Sequence, residues 1–208
     1  MIRIAVLGST RGTNLNALVA AIEQHHLAAS IELVLSNKED ALILEKAANF
    51  GIQSMFANPQ GLSRTEFDNY LSAILKQHQI ELIVLIGYMR ILSAEFVSQW
   101  ENKIINIHPS LLPAHAGLMN LDVHQSVLDE ADTETGCTVH FVTEQVDAGP
   151  IILQKKCPVF PGDTAELLKA RVQELEGLAL IEAIQMIANS DSRSLLGCQA
   201  TPTKMINN

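Results

Sequence analysis

Short, almost wholly apolar runs recur through the first half of the chain. They cover residues 2–7, 31–35, 80–86 and 104–107. Continuous apolar runs of this length are typical of strands that are buried on both faces of a parallel sheet. We therefore predict that the first half of the chain contributes a parallel sheet to the fold.

Segments with helical spacing lie between these runs. Residues 15–22 and 41–50 carry apolar positions at three- and four-residue intervals. Farther along, Ser63-Arg64-Thr65-Glu66 has the sequence of a capping box, and an apolar stripe follows it from Phe67 to Leu75. Because strands and helices alternate, the pattern predicts right-handed crossovers and an α/β, doubly wound, Rossmann-like sheet.

The second half of the chain has a different pattern. Two strand-like runs, at 138–142 and 150–160, flank a turn-rich loop at 143–149. Runs joined in this way predict an antiparallel extension of the otherwise parallel sheet.

A long C-terminal helix is predicted from about residue 164 to residue 187. Asp163 and Glu166 are placed to cap its start. The apolar positions expected to dock it on the sheet are Leu167, Ala170, Val172 and Leu175. We predict one domain over residues 1–188, with halves of about 1–100 and 101–188, and a loosely ordered polar tail over 189–208.

The charge balance narrows the class of ligand. Among 208 residues the chain has 14 basic and 23 acidic side chains, and its formal net charge is −9. Nucleic-acid binding needs clustered Lys and Arg side chains, so we expect no nucleic-acid partner. An anionic small ligand is still possible if a few local donors hold it.

The cysteine and histidine residues indicate neither a disulfide framework nor a metal site. Cys137, Cys157 and Cys198 are odd in number and lack ligand spacing, and His25, His26, His78, His115 and His124 are scattered. The chain shows no secretory signal pattern and no apolar run of the roughly 20 residues that a membrane helix needs. We therefore expect a cytoplasmic protein without a metal or a membrane partner, present as a monomer or a homodimer.

Three segments that follow predicted strands carry polar candidates. The first is Gly8-Ser9-Thr10-Arg11-Gly12-Thr13-Asn14, which opens a helix, so its backbone N–H groups favour a phosphate. A tight turn without a ligand is an equally good interpretation of this segment alone. The spacing of its glycines is not that of a dinucleotide-binding fingerprint.

The second segment contains Asn106 and His108, which share one face of a strand because residues two apart do so. An amide beside an imidazole suits an oxyanion, since both groups can donate hydrogen bonds to a charged carbonyl oxygen. A buried polar pair satisfied by the backbone is the alternative.

The third segment is Asp147-Ala148-Gly149-Pro150, whose carboxylate would raise the pKa of His108 if the two lie together. Taken alone, this segment is more often only a turn.

Several stretches together resemble the phosphoribosylglycinamide formyltransferases, the folate-dependent enzymes of purine biosynthesis in the formyltransferase superfamily. The resemblance covers about residues 2–187. The stretches that carry it are Gly12-Thr13-Asn14-Leu15, Ser36-Asn37-Lys38, Gly87-Tyr88-Met89-Arg90-Ile91-Leu92-Ser93, Asn106-Ile107-His108-Pro109-Ser110-Leu111-Leu112-Pro113, Thr138-Val139-His140-Phe141-Val142-Thr143 and Asp147-Ala148-Gly149-Pro150.

The resemblance implies a formyl transfer from 10-formyltetrahydrofolate to the amine of glycinamide ribonucleotide, with no metal. It implies that Asn106, His108 and Asp147 are catalytic. The implied acceptor-binding residues are Gly12, Thr13, Asn14 and Arg64 near the phosphate, and Gln173 and Glu176 near the ribose. The implied folate-binding residues are Met89, Arg90, Ile91, Leu92, Val97, Asn106, Thr143, Glu144 and Val146. The first half of the domain would then bind the phosphate, and the second half would carry the catalytic residues and much of the folate pocket.

The chain departs from the family pattern at two places. The phosphate turn reads Ser9-Thr10-Arg11-Gly12-Thr13-Asn14, where the family has Ser-Gly-x-Gly-Ser-Asn, and Gly117-Leu118-Met119-Asn120-Leu121 replaces a Gly-Leu-His-Thr-His form. The alternatives are a sibling formyltransferase with another acceptor, a formyl-folate hydrolase, a non-catalytic binding module and a nicotinamide oxidoreductase. The family's transfer-RNA enzyme and its hydrolase carry a further domain, for which we expect no room in 208 residues.

Overall fold

The computed structural model describes residues 1–189 as a single α/β layer structure, with one sheet between helices. Cys198 and the predicted tail over 189–208 lie outside this part, except for residue 189. The elements in this range are β1 (Ile2–Leu7), α1 (Thr13–Glu23), β2 (Ala29–Ser36), α2 (Leu42–Asn49), β3 (Ser54–Phe56), α3 (Arg64–Gln77), β4 (Leu82–Leu85), α4 (Ala94–Gln99), β5 (Ile104–His108), α5 (Leu121–Asp129), β6 (Glu134–Phe141), β7 (Ile151–Pro158) and α6 (Ala165–Asn189).

The strands form one sheet in the order β3-β2-β1-β4-β5-β6-β7. Pairing is parallel from β3 to β5 and antiparallel from β5 through β6 to β7. The predicted fold class is therefore confirmed, including the antiparallel extension and the long C-terminal helix. The strand order reverses between β1 and β4, and ligands of such sheets bind beyond the carboxyl ends of the strands at this point.

Helices cover both faces of the sheet. On one face, α1, α2 and α6 bury side chains such as Leu15, Ile43 and Leu180 against the strands. On the other face, α3 and α4 bury Phe67 and Phe96. Two separate apolar layers hold the central strands in place, so the polar groups that follow those strands are presented from a rigid base. Within residues 1–189, no helix combines the length and apolar character needed to cross a membrane.

The start of α3 has the cap that its sequence predicts. Ser63 Oγ accepts a hydrogen bond from the Glu66 N–H at 3.3 Å, and Glu66 Oε2 accepts one from the Ser63 N–H at 2.8 Å. This reciprocal pair satisfies two of the N–H groups that a helix start leaves without a backbone acceptor.

The start of α6 differs from the prediction. Thr164, not Asp163, caps it, because Thr164 Oγ1 accepts from the Leu167 N–H at 3.3 Å. The Asp163 carboxylate instead accepts two hydrogen bonds from the Arg171 guanidinium and one from the Phe160 N–H. The Arg171 hydrogen bonds, with that of Phe160, lower the pKa of Asp163 to about 2.

The docking face of α6 also differs in part from the prediction. Val172 is buried, as expected, but Leu167 is 55% exposed and Ala170 is exposed. The residues that dock the helix are Ala165, Leu168, Val172, Ala179, Leu180, Ala183 and Ile184. Apolar residues are so frequent along this helix that their spacing alone does not indicate which stripe faces the sheet.

Three short elements were not predicted. They are β3, with three residues, α4, with six, and α5, with nine. With three and six residues, β3 and α4 contain too few residues to show a period of their own, so tertiary contacts decide whether they form.

Candidate active site

A cavity of about 990 Å³ lies where the carboxyl ends of β1, β4 and β5 meet the start of α1, the N-terminal half of α6 and the loop between β6 and β7. Its position agrees with the reversal of strand order between β1 and β4. Every residue predicted for the site lines this cavity except Arg64 and Val97.

Arg64 and Val97 lie on the α3–α4 face of the sheet. Arg64 is the first residue of α3 and is exposed, and Val97 is buried in the apolar layer beneath α4. Neither side chain is among those that line the cavity. Their binding roles stay sequence-based predictions.

The Asp147 carboxylate stands at the centre of the polar cluster in the cavity. Oδ2 is 3.2 Å from His108 Nδ1 and accepts the Gly117 N–H at 2.9 Å. Oδ1 is 3.5 Å from His140 Nε2. Asp147 has a φ of 53°, a left-handed conformation that non-glycine residues seldom adopt, so surrounding contacts must hold the carboxylate in this position.

His108 has an acceptor beside each of its ring nitrogens. Nδ1 faces Asp147, and Nε2 lies 3.2 Å from the carbonyl oxygen of His115. A neutral imidazole has one N–H and can satisfy only one of these acceptors, whereas an imidazolium satisfies both. The arrangement of the two acceptors therefore favours the protonated form of His108 if a reaction delivers a proton to the ring.

Burial and charge act in opposite directions on this cluster. Burial lowers the pKa of His108, and although Asp147 and the His115 carbonyl act to raise it, the net pKa is lowered. Burial acts to raise the pKa of Asp147, but hydrogen bonds from His140 and Gly117 and the charge of His108 outweigh it, so the net pKa is lowered. The resting pair is thus an ionised carboxylate beside an imidazole that gains a proton less readily than in water.

Asn106 is oriented by a histidine on the neighbouring strand. Asn106 pairs with His140 in the β5–β6 register, and Asn106 Nδ2 lies 3.2 Å from His140 Nε2. His140 Nδ1 is 2.8 Å from the Phe141 carbonyl, which can only accept, so Nδ1 carries a proton. Its Nε2 lies beside both the Asn106 amide and Asp147 Oδ1. Because the amide nitrogen of Asn106 has two N–H groups, at least one of them remains for a ligand oxygen.

His115 anchors the segment whose carbonyl contacts His108. Its Nε2 lies 2.9 Å from Asp132 Oδ2, and its Nδ1 lies 2.8 Å from Ser126 Oγ and 3.6 Å from Glu130 Oε1. No spacing along the chain indicates that the side chains of His115, Glu130 and Asp132 lie together, with their nitrogen and oxygen atoms within 4.8 Å of one another. Because both ring nitrogens already have protein partners, this cluster ties residue 115 to α5 and to the segment after it.

The turn before α1 is shaped for close approach of an anion. Gly12 has a φ of 59°, and a Cβ there would lie 2.3 Å from a side-chain carbon of Ile43. No side chain caps α1, so its first N–H groups and its dipole face the cavity. Asn14 Nδ2 donates to Glu176 Oε2 at 2.7 Å, which joins the turn to α6.

Several cavity residues were not predicted as site residues, among them Tyr88, His124, His140 and Lys169. His140 belongs to a stretch that carries the resemblance, but its contact with Asn106 depends on a strand register that no spacing reveals. His124 is 2% exposed, and burial, with the charges of Lys169 and His108, lowers its pKa to about 4.

The segment after β4, which forms one wall of the cavity, contains unused donors. Tyr88 Oη and Arg90 Nε are buried without a hydrogen-bond partner in the part of the chain that the structure describes. The Arg90 guanidinium lies over the Phe67 ring at 4.7 Å, which holds it in place. Burial, with the charge of Asp68, raises the pKa of Tyr88, so its hydroxyl stays a donor.

Comparisons with known proteins agree with this architecture. Residues 2–184 match the formyl transferase family. The chain is 47% identical over 189 residues to the trifunctional purine biosynthetic protein adenosine-3 of Gallus gallus, which covers 90% of this chain and 18% of that protein. It is 43% identical over 177 residues to the phosphoribosylglycinamide formyltransferase of Haemophilus influenzae, which covers 85% of this chain and 82% of that protein.

A solved structure gives the same result. The crystal structure of glycinamide ribonucleotide transformylase 1 from Symbiobacterium toebii matches with a TM-score of 0.86 at 41% identity, over 90% of this chain and 88% of that one. The chain thus spans less than a fifth of the trifunctional relative and most of the bacterial proteins. The resemblance seen in the sequence motifs is confirmed, and the chain belongs to the formyl transferase family.

Proposed function

We propose that this protein transfers the formyl group of 10-formyltetrahydrofolate to the amine of glycinamide ribonucleotide, a step of purine biosynthesis. The observation that carries the proposal is the meeting of Asn106, His108 and Asp147 in one cavity, between a phosphate-type turn and a folate-type wall. The activity for which the bacterial relatives are named supports the same reaction.

The acceptor binds along the turn before α1 and the facing side of α6. Its phosphate lies against the N–H groups of Gly12, Thr13 and Asn14, where the helix dipole favours an anion. Glu176 Oε2 is occupied by Asn14, and Oε1 remains for a ribose hydroxyl. Gln173, one helical turn earlier, supplies an amide to the same ligand.

The folate binds against the segment after β4 and the loop between β6 and β7. Met89, Ile91 and Leu92 give this wall an apolar surface, and Arg90 adds a donor. The loop contributes Thr143, Glu144 and Val146, together with backbone groups that suit the hydrogen-bonding edge of a heterocycle.

Chemistry occurs between the two ligands. The amine nitrogen forms a bond to the formyl carbon, and the carbonyl electron pair moves to the oxygen. The proton lost by the amine passes to His108 with the help of Asp147. The free N–H of Asn106 and the N–H of the protonated His108 then stabilise the oxyanion, after the oxygen replaces the His115 carbonyl at Nε2. The carbonyl re-forms, the bond to folate N10 breaks, and the proton moves from His108 to N10.

Product identification tests the proposal. Incubation with glycinamide ribonucleotide and 10-formyltetrahydrofolate should give formylglycinamide ribonucleotide and tetrahydrofolate in equal amounts. Formate release without an acceptor would identify a formyl-folate hydrolase instead. Turnover with another amine alone would identify a sibling transferase, and binding without turnover would identify a binding module.

A further inference from the structure

Lys169 lies on the cavity-facing side of α6. It precedes Gln173 by four residues and Glu176 by seven, so the three side chains share one helix face, and all three line the cavity. Lys169 is partly buried, and among residues 1–189 its ammonium has neither a hydrogen bond nor an ion pair.

In the part of the chain that the structure describes, the partly buried Lys169 ammonium has no anionic partner. Acidic residues outnumber basic ones by 23 to 14, so carboxylates are readily available as partners. Withdrawing a cation from water without an anion costs free energy. Two carboxylates of the same cavity already have other partners. Glu176 accepts a hydrogen bond from Asn14, and Asp147 contacts His108 and Gly117. The position therefore suits a cation whose anion arrives with a ligand.

Lys169 affects two titratable groups of the cavity. Burial, with the charge of Lys169, lowers the pKa of His124, whereas burial raises the pKa of Glu176 although Asn14 and the charge of Lys169 oppose it. With a pKa of about 4, His124 is neutral at physiological pH and does not compete for an anion. A flexible four-carbon stem lets a lysine ammonium move to its partner as a point charge.

We infer that Lys169 is a specificity-determining residue whose ammonium pairs with the phosphate of the acceptor. The inference rests on the proposed function and deepens it. The acceptor phosphate is favoured over the carboxylates of folate because the face of α6 that bears Lys169 is tied to the phosphate turn through Glu176 and Asn14. The folate wall is built from other elements, the segment after β4 and the β6–β7 loop.

Steady-state kinetics of Lys169→Met test the inference with two acceptors, glycinamide ribonucleotide and its dephosphorylated nucleoside. Loss of a hydrogen bond to a charged group should raise KM for the nucleotide about tenfold or more, with a small change in kcat. KM for the nucleoside should stay unchanged, and Lys169→Arg should recover much of the loss. Lys103→Met, an exposed lysine at the opposite end of β5, is the matched control.

Calorimetry with ribose 5-phosphate gives a readout that needs no turnover. Wild type should bind this probe, Lys169→Met should bind it at least tenfold more weakly, and Lys103→Met should match wild type. Equal affinities for wild type and Lys169→Met, or no binding to wild type, would overturn the inference. So would a selective rise of KM for the nucleotide in Arg64→Met but not in Lys169→Met. Failure of wild type to formylate glycinamide ribonucleotide, with probe binding intact, would count against the proposed reaction alone.

Discussion

His108 shows how burial and charge compete at a single residue. The sequence predicts that a neighbouring carboxylate raises its pKa, and Asp147 does lie 3.2 Å away and acts in that direction. Burial nevertheless outweighs this influence, and the net pKa is lowered. Patterns along a chain identify charged neighbours more readily than they identify the depth at which a side chain is buried.

Removing either member of this pair should abolish most of the turnover. We expect His108→Ala and Asp147→Asn each to lower kcat by roughly 100-fold or more, as the loss of an oxyanion-stabilising group typically does. The double variant should lose less than the product of the two effects, because the residues act as a unit. Near-normal turnover in His108→Ala would show that His108 takes no part in the reaction.

His124 should make the fold sensitive to acid. Its pKa falls from 6.5 to about 4 on folding, so between these pH values the unfolded chain takes up a proton that the folded chain does not. The free energy of unfolding is therefore unaffected by His124 above pH 6.5 and decreases as the pH falls from 6.5 towards 4. At pH 5 this residue should account for about 1–2 kcal/mol of lost stability.

Urea denaturation at pH 7.5 and pH 5 measures this effect. His124→Asn should show a smaller drop in the free energy of unfolding between the two pH values than wild type. The exposed His26 provides the control, since His26→Asn should leave the drop unchanged. An identical drop in His124→Asn and wild type would contradict the assignment.

At the scale of elements, contact between α1 and α6 depends on a glycine. A Cβ at Gly177 would lie 2.7 Å from Ala17 Cβ, closer than two carbon atoms can pack. The glycine therefore lets the two helices approach, and with them the turn at Asn14 and the carboxylate of Glu176, which is hydrogen-bonded to it.

Gly177→Ala should destabilise the protein despite its better helix propensity. Overpacking typically costs about 1–3 kcal/mol, against about 1 kcal/mol gained in the helix, so we expect a net loss of about 1 kcal/mol. Adding Ala17→Gly should recover stability, because it removes the clashing methyl group. Leu178→Ala, at an exposed neighbour, should change stability little. Purely additive effects of Gly177→Ala and Ala17→Gly in urea denaturation would show that the helices do not meet here.

At the scale of the whole molecule, one sheet joins the two predicted halves. β4 pairs with β5 across the boundary near residue 100, and β5 pairs with β6. The proposed site uses both halves, since the turn with Gly12 and Asn14 belongs to the first half and Asn106, His108 and Asp147 belong to the second. We expect them to unfold together.

Trp100 offers a direct test of this cooperativity. It is the single tryptophan of the chain, it is buried at the boundary, and its Nε1 donates to Ser72 Oγ at 3.0 Å. Its fluorescence should change at the same urea concentration as the far-UV circular dichroism, which follows all the helices. Two separated transitions would instead show that residues 1–100 and 101–188 unfold independently.

The sequence was sufficient for the elements whose residues repeat often enough to show a period. The buried runs at β1, β2, β4 and β5, the cap of α3 and the extent of α6 all follow from local patterns, because strand and helix geometry repeat every two or 3.6 residues. The family motifs also indicated Asn106, His108 and Asp147, which lie within a few residues of strand ends.

The contacts between these segments depended on the tertiary structure. The β5–β6 register brings His140 to Asn106, the left-handed conformation of Asp147 aims its carboxylate at His108, and the packing of α6 on α1 places Lys169 in the cavity. Each of these contacts joins residues far apart in the chain, and burial is the main reason that the pKa of His124 is so low. Local patterns record which face a residue occupies, whereas distances across the fold and the loss of water are properties of the packed molecule.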